Sequence, residues 1–138
     1  MIDARVLGKA RKTIDIAAYV LTSWLVINAI ASAAKHGAAV RLYVDGSQAG
    51  NADMSPDGPF GTLLRLGNIT VKQKRVGAAP MHLKSYCVDG RWFRTGSANF
   101  TASGLKRQDN DLLLFDDREM CAAFTADFER VWTGGDAE

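Results

Sequence analysis

Apolar and polar positions alternate in ways that divide the chain into short strands and helices. Strand-like runs are rich in β-branched and aromatic residues, and helix-like runs repeat apolar residues every three or four positions. The pattern predicts strands over 13–21, 38–44, 69–76, 81–88, 91–99 and 111–115. It predicts helices over 2–12, 24–36, 59–67 and 117–132. Because a strand, a helix and a strand in succession favour parallel pairing, we expect an α/β fold in which helices flank a mixed β-sheet.

Two stretches of this pattern invite other interpretations. Ile16 to Ala34 carries no charge and is long enough to cross a bilayer. Thr22-Ser23 interrupts this run, so a buried strand followed by a buried helix explains it better, and no integral membrane segment is expected. Segment 45–58 is a loop by composition, and loops of this length are often functional. We expect it to border a substrate groove, although the sequence does not define its role.

Composition places the chain among ordinary globular proteins. Its 138 residues fit one domain over 1–138, and the formal net charge of +2 permits an anionic partner without requiring one. Cys87 lies in a strand-like run and Cys121 in a helix-like run, so free buried thiols are expected. No cysteine or histidine cluster has zinc spacing. The start shows no signal peptide, so the compartment stays unknown, with cytoplasm and periplasm both open.

The hairpin predicted around Asp89-Gly90 brings polar side chains together. Asp-Gly between two strand-like runs predicts a two-residue turn, which would place His82 opposite Ser97. Strand side chains alternate between faces, so the open end of the hairpin would carry one polar group on a single face. Its members are His82, Lys84, Ser97 and Asn99. Opposed Cβ atoms lie roughly 5 Å apart, so these side chains can surround one small group.

The residue types in this group suit a phosphate. Lys84 supplies a cation, and Ser97 and Asn99 supply hydrogen-bond donors for several oxygens. His82 offers a nitrogen that can attack phosphorus or carry a proton near neutral pH. The carboxylates that a two-metal site needs are missing, so the pattern predicts metal-free phosphoryl transfer through histidine, with no cofactor. Asp89 lies seven residues from His82, roughly 23 Å along a strand, and is expected to be structural.

Two motifs in this region resemble those of the phospholipase D superfamily. Residues 82–89, H-L-K-S-Y-C-V-D, match its H-x-K-x4-D motif, and residues 96–101, G-S-A-N-F-T, match the G-S-x-N-x-T element that follows. Larger members carry two copies of the motif, whereas this chain has one, and no lysine follows its other histidine, His36, two places on. The chain therefore most resembles the small single-motif bacterial endonucleases of the superfamily, which form homodimers.

The resemblance implies a phospholipase D-like sandwich and a double-displacement mechanism. His82 would form a phosphohistidine, and His82 of the partner would protonate the leaving oxygen. Lys84, Ser97 and Asn99 would hold the phosphate oxygens. Asp109 would orient His82, with Asp111 as the competing candidate.

The substrate remains open among three possibilities. A nuclease cleaving DNA, or also RNA, is the first, and a phospholipase D or cardiolipin hydrolase acting on phospholipid is the second. The third is a nucleic-acid-binding module with weak catalysis. Cations that flank the motifs would steer a polyanion or form a solvated basic face; they are Arg91, Arg94, Lys106 and Arg107. The aromatic residues Tyr86, Trp92 and Phe93 are expected in the core or an interface rather than as base-stacking platforms.

Overall fold

Seven strands form one mixed sheet in the computed structural model, which describes residues 1–49, 54–106 and 109–137. The strands are β1 (Thr13–Ala18), β2 (Ala39–Asp45), β3 (Ile69–Lys74), β4 (Lys84–Val88), β5 (Trp92–Gly96), β6 (Leu112–Asp116) and β7 (Asp136–Ala137). The helices are α1 (Ile2–Gly8), α2 (Trp24–Lys35), α3 (Gly46–Ala49), α4 (Gly61–Leu64), α5 (Ala102–Lys106) and α6 (Arg118–Thr133).

The order of strands across the sheet is β6-β5-β4-β1-β2-β3-β7. β1, β2 and β3 run parallel, and β4 pairs with β1 in the antiparallel sense. The carboxyl ends of β1, β2, β3 and β5 therefore meet the amino ends of β4 and β6 along one side of the sheet. We refer to this side as the upper edge, and it is marked by Ala18, Asp45, Lys74, Lys84, Gly96 and Leu112. The predicted mixed sheet flanked by helices is confirmed.

Alternation along the central strands builds two cores, one on each face. Even-numbered positions such as Ile16 and Tyr86 are fully buried in the larger core, together with residues of α1, α2 and α4. Odd-numbered positions such as Ala17 and Tyr43 pack with Phe128 of α6 in a smaller core. Each large apolar side chain buried in this way contributes about 1.5–3 kcal/mol to stability. In the described part of the chain, helices pack on both faces of the sheet, and its edges stay open to a substrate.

The uncharged run from Ile16 to Ala34 forms the end of β1 and most of α2, as predicted from its composition. Val26, Ile27 and Ile30 of α2 are fully buried against the sheet, which accounts for the apolar character of the run. Within the described ranges, no helix combines the length and apolarity needed to cross a membrane. Segment 45–58 begins with the short α3, and its residues 50–53 lie outside the described part of the chain.

The two cysteines form a disulfide, so the prediction of free thiols is wrong. Cys87 occupies an odd-numbered position of β4 and faces α6. The carboxylate of Asp117 accepts hydrogen bonds from the backbone N–H groups of Glu119 and Met120, which starts α6 and places Cys121 in its first turn. The Cα atoms of Cys87 and Cys121 are 5.4 Å apart, within the usual range for a disulfide. Their separation of 34 residues gave no local sign of this contact.

The register of the β4–β5 hairpin differs by one residue from the predicted register. Val88 pairs with Trp92 rather than with Arg91, so that the three residues from Asp89 to Arg91 stay outside the ladder. Asp89 and Gly90 both have positive φ angles within this turn (53° and 67°). A one-residue shift moves side chains to the opposite face of a strand. The predicted opposition of His82 to Ser97 is therefore wrong, and the position of Ser97 depends on how the chain leaves β5.

Candidate active site

His82 and Lys84 lie together at the upper edge, where β4 begins. His82 precedes the strand and is exposed, whereas Lys84 is the first strand residue and is only 5% exposed. Lys84 Nζ lies 2.9 Å from His82 Nδ1 and donates a hydrogen bond to the carbonyl oxygen of His82 at 2.6 Å. The amine is therefore held against the imidazole while the ring stays open to solvent. This arrangement suits attack on a bound phosphate by histidine beside a fixed cation.

Tyr19 supports this pair from the neighbouring strand and was not predicted as a site residue. Its ring centroid lies 4.7 Å from that of His82, and Lys84 Nζ lies 5.1 Å from the same Tyr19 ring. The backbone N–H of Tyr19 donates to the carbonyl oxygen of Leu83 at 2.9 Å, which continues the β1–β4 pairing beyond the strand end. Gln48 of α3 donates to the Tyr19 hydroxyl at 3.3 Å. Segment 45–58 thus contacts Tyr19 through Gln48. That this segment borders a substrate groove stays a prediction.

Burial changes the acidity of Lys84. Desolvation of its ammonium group lowers the pKa below the ordinary lysine value, and the nearby positive charge of Arg94 lowers the pKa further. Bonding to an anion would oppose both effects because it favours the charged amine. A phosphate bound beside Lys84 would therefore find a poorly solvated cation, which interacts with it more strongly than a fully hydrated one.

The G-S-A-N segment crosses over the amino end of β4. β4 lies between β5 and β1 in the sheet, and Phe100, four residues beyond the end of β5, bonds to the segment that follows β1. Phe100 N–H donates to the Val20 carbonyl, and the N–H groups of Thr22 and Ser23 donate to the Phe100 carbonyl. The chain between Gly96 and Phe100 must therefore pass the end of β4 that carries Lys84.

Ser97 and Asn99 take different positions on this crossing segment. Ser97 is exposed; its hydroxyl donates to Asn110 Oδ1 and accepts from the backbone N–H of Asp111. Asn99 is half-buried, and its Oδ1 is a buried acceptor without a hydrogen-bond partner in the described structure. Buried polar atoms are nearly always paired, so this oxygen marks a position where a donor is missing. A water molecule would satisfy it.

The two candidate orienting acids, Asp109 and Asp111, lie beside Ser97 rather than against His82. With Ser97 and Asn110 they line an open cavity of about 340 Å³. Neither carboxylate bonds to His82 in the described part of the chain, where the histidine ring contacts Tyr19 and Lys84. The orienting role of Asp109 therefore stays a prediction, with Asp111 still its competitor.

Asp45, like Tyr19, was not predicted as a site residue. Its carboxylate is buried at the end of β2, where one oxygen accepts a hydrogen bond from the backbone N–H of Met81 at 2.7 Å. Its other oxygen accepts from the backbone N–H of Ser47 at 3.2 Å. Met81 immediately precedes His82, so Asp45 fixes the chain at the point where it enters the site. The sequence signal that could have identified Asp45 is an acidic residue directly at the end of a buried strand.

Asp89 has the structural role predicted for it. It lies at the hairpin turn on the opposite edge of the sheet. Its carboxylate accepts hydrogen bonds from three consecutive backbone N–H groups, those of Arg11, Lys12 and Thr13. These bonds join the hairpin turn to the segment between α1 and β1.

The flanking basic and aromatic residues divide between core and surface. Arg94 is fully buried, so the prediction that it steers a polyanion is wrong. Arg91 forms an ion pair with Asp116 at the hairpin turn, away from the upper edge. Lys106 is exposed at the end of α5, and Arg107 lies outside the described residues. The aromatic residues follow the core prediction: Tyr86 is fully buried, Trp92 packs against the larger core, and Phe93 packs on Phe115 and Phe124.

The site thus combines an exposed imidazole, a buried amine and a crossing loop with an unpaired amide oxygen. Among the described residues, no three His, Cys, Asp or Glu side chains come together in a way that could hold a metal ion. This combination on a two-sided α/β sheet is that of a phospholipase D-like domain. The family model described as "Cardiolipin synthase, PLD-like domain" matches residues 4–132, so the chain belongs to this family within the phospholipase D superfamily.

Individual relatives agree with this assignment. The mitochondrial cardiolipin hydrolase of Chlamydomonas reinhardtii is 28% identical over 126 residues, which cover 91% of this chain and 54% of that protein. The chain spans about half the length of the curated relatives it matches. NucT from Helicobacter pylori has the same fold, with a TM-score of 0.87 at 22% identity, covering 99% of this chain and 89% of NucT. Nuc from Salmonella typhimurium, a phospholipase D family member, gives 0.83 at 20% identity, covering 99% and 88%.

Proposed function

We propose that this chain is a metal-independent phosphodiesterase that uses His82 as its nucleophile. The observation that carries the proposal is the exposed His82 ring with the buried amine of Lys84 held 2.9 Å from it, at the one edge that the G-S-A-N segment crosses. Family membership supports the same chemistry. Phosphoryl transfer needs mainly positioning and stabilisation of oxygen charge, and these residue types provide both.

The proposed reaction has two displacements. A ring nitrogen of His82 forms a bond to phosphorus while the bond from phosphorus to the leaving oxygen breaks, and that oxygen takes a proton from an acid. Water then attacks phosphorus and gives a proton to the group that acted as the acid. The bond between phosphorus and the ring nitrogen of His82 breaks in this step. Lys84 and Asn99 hold the non-bridging oxygens throughout, together with Ser97, whose hydroxyl turns from Asn110 to donate to the phosphate. Asp109 orients a histidine for these steps.

A second copy of the chain supplies the acid. Each chain has one His82-Lys84 pair, and its other histidine, His36, is at the far end of α2, where its Nδ1 lies 2.7 Å from the carbonyl oxygen of Ser32. His82 is exposed, so its partner can approach from solvent. We therefore propose a homodimer in which the two His82 residues face a single phosphate.

Among phosphodiesters, we propose a polynucleotide as the substrate, DNA first and RNA second. The support is the charge of the upper edge. Lys74 ends β3 there, the exposed Arg75 follows it, and the exposed Lys106 ends the helix after the G-S-A-N segment. Cations along the same edge as the reacting phosphate suit a substrate that carries further phosphates on either side.

Apolar exposure favours phospholipid as the second candidate. Trp24 and Leu25 begin α2, directly after the loop that bonds to Phe100, and are 54% and 49% exposed. Leu83, between the two catalytic candidates, is 41% exposed. Apolar side chains around a site suit a lipid surface, and the curated relatives bear the name cardiolipin hydrolase.

Cleavage in excess EDTA tests the function and separates the substrates. Single-stranded DNA, double-stranded DNA, RNA and cardiolipin vesicles are incubated with the wild type, with His82→Ala and with the matched control His36→Ala. We expect polynucleotide cleavage by the wild type and by His36→Ala, and none by His82→Ala. Turnover of vesicles alone would replace the polynucleotide by a lipid. Activity that survives in His82→Ala would refute the mechanism, and tight DNA binding without turnover would favour the binding module.

A mixing experiment tests the shared site. Wild type is mixed with excess His82→Ala and the subunits are allowed to exchange. If each phosphate needs His82 from two copies, activity falls with the square of the wild-type fraction. A linear fall, or a fully active monomer in sedimentation, would contradict the homodimer.

A further inference from the structure

A fully buried ion pair joins α1 to the strand after the hairpin turn. Asp3 and Arg94 are both 0% exposed. Arg94 Nε lies 3.2 Å from Asp3 Oδ1, and Arg94 Nη2 lies 3.1 Å from Asp3 Oδ2, so the guanidinium grips both carboxylate oxygens. The hydroxyl of Tyr86 donates to Asp3 Oδ1 at 2.9 Å. These contacts connect residues more than 80 positions apart.

The remaining donors of Arg94 reach the two catalytic segments. Arg94 Nη1 donates to the carbonyl oxygen of Lys84 at 2.5 Å. Arg94 Nη2 donates to the carbonyl oxygen of Ala98, the residue between Ser97 and Asn99, at 3.1 Å. The guanidinium also lies over the Phe100 ring, 4.5 Å from its centroid. One planar group therefore links the backbone of the lysine strand to the backbone of the crossing loop.

We propose that Arg94, anchored by Asp3, is a positioning residue that holds the Ser97–Asn99 loop at a fixed distance from Lys84 and thereby makes α1 part of the catalytic apparatus. The inference rests on the proposed phosphodiesterase function and deepens it. Lys84 and Asn99 sit on separate segments whose backbones do not pair at this point, since the ladder between β4 and β5 runs only from Tyr86–Arg94 to Val88–Trp92. Arg94 bridges the gap.

Core stability alone does not account for this arrangement. Burying two charges is expensive, and well-packed apolar residues of similar volume usually serve a core as well or better. An apolar pair would, however, leave the carbonyl oxygens of Lys84 and Ala98 without these donors. Arginine is the side chain whose rigid fork can serve a carboxylate and two carbonyls at once.

The chain contains a natural comparison on the other face of the sheet. Arg41 bonds to both carboxylate oxygens of Asp15 and to Glu129 of α6. Its side chain is 29% exposed, and it bonds to neither catalytic segment. The pair of Asp15 and Arg41 joins β1 to β2, and the bond from Arg41 to Glu129 adds α6. None of these bonds involves the candidate catalytic segments, so the pair serves as the matched structural control.

The charge of Arg94 has a separate consequence that a test can use. It is the second cause, after burial, of the lowered pKa of Lys84. Removing the guanidinium should therefore raise the pKa of Lys84 and move the basic limb of the pH–rate profile to higher pH. Replacing it by another cation should leave that limb in place.

Three variants separate positioning from folding. Asp3→Leu/Arg94→Met removes the ion pair and both bonds to the catalytic segments while leaving no unpaired buried charge. Arg94→Lys keeps the charge opposite Asp3 but loses the fork. Asp15→Leu/Arg41→Met is the control pair. Thermal unfolding establishes which of these proteins are folded, and Arg94→Lys carries the test if the first variant does not fold.

Hydrolysis of bis-p-nitrophenyl phosphate and calorimetric binding of inorganic phosphate are then measured. In Arg94→Lys and Asp3→Leu/Arg94→Met we expect kcat to fall on the order of 100-fold, as for a reacting group displaced by about 1 Å, and phosphate to bind at least about tenfold more weakly. The basic limb of the pH–rate profile should move only in Asp3→Leu/Arg94→Met, which lacks the positive charge near Lys84. The control pair should keep both values.

The outcomes distinguish this inference from the function on which it rests. Folded Arg94→Lys with wild-type kcat and phosphate affinity would overturn the positioning role. An equal loss of kcat and phosphate affinity in Asp15→Leu/Arg41→Met would mean that any buried ion pair has this effect through general stability. That result would also overturn the positioning role of Arg94. A wild type that fails to hydrolyse any phosphodiester would remove the proposed function, and phosphate affinity in Arg94→Lys would still decide whether Arg94 shapes the anion site.

Discussion

Reduction of the Cys87–Cys121 disulfide should destabilise the protein strongly without disabling the site. The bond joins β4 to the first turn of α6 across 34 residues of sequence. Cys87 faces α6, whereas Lys84, at an even-numbered position of the same strand, faces α2. Breaking the bond therefore leaves the contacts of the catalytic residues in place as long as the protein stays folded.

The loop length sets the expected magnitude. Closing a loop of 34 residues removes about 13 cal/mol/K of entropy from the unfolded chain, which is about 4 kcal/mol at 25 °C. Domains are stable by only about 5–15 kcal/mol in total, so this is a large fraction. For a chain of 138 residues, the same loss corresponds to a fall in Tm of roughly 10–15 °C.

Urea unfolding with and without a phosphine reductant measures the effect. The variant Cys87→Ala/Cys121→Ala is the control, because its transition should not respond to reductant. Phosphodiester hydrolysis at 20 °C should be nearly equal for oxidised and reduced protein. A loss of less than about 1 kcal/mol on verified reduction would refute the reasoning from loop entropy.

Three further outcomes follow from single residues. Burial lowers the pKa of Lys84, which is proposed to act as a cation, so kcat/KM should fall at high pH with an apparent pKa below the ordinary lysine value. Lys84→Met should be almost inactive. A pH–rate profile that is flat to pH 10 would contradict this role of Lys84. Gly96→Ala should destabilise by about 2 kcal/mol or more in urea unfolding, because φ is 150° there and a Cβ would meet the backbone carbonyl of Asp111, the residue before β6. Asp45→Asn should cost about 1–3 kcal/mol and lower kcat on the order of tenfold, because the bond to Met81 N–H weakens; unchanged kcat would deny Asp45 a part in orienting the site.

The candidate residues of the site were predictable because they lie only a few positions apart in the sequence. A histidine and a lysine two positions apart share one end of a strand whatever the rest of the fold is. In the structure, Lys84 Nζ lies 2.9 Å from His82 Nδ1. The G-S-A-N element likewise lies where a strand ends, and Gly96 permits the φ of 150° with which the chain leaves β5. Hydrophobic alternation and the uncharged run from Ile16 to Ala34 were enough for the order of most elements.

The geometry between these segments was not predictable in the same way. A two-residue turn and a turn that leaves Arg91 outside the ladder look alike in sequence, yet they differ by one residue in register and so by a whole face of the sheet. Arginine in a strand of mixed polarity is usually solvated, so nothing local indicated that Arg94 points inward. Its direction follows from the presence of Asp3 on a helix 91 positions away.

The sequence by itself determined the family, the α/β class and the residues proposed to carry the chemistry, because motifs and periodicity are local properties. Only the tertiary structure decided that Cys87 meets Cys121, that Tyr19 packs against His82, that the crossing loop passes over the end of β4, and that Arg94 ties α1 to the site. Each of these depends on a contact between distant segments. Such contacts form when the chain buries its apolar faces, and the spacing of residues along one strand or helix does not encode which distant partner will be there.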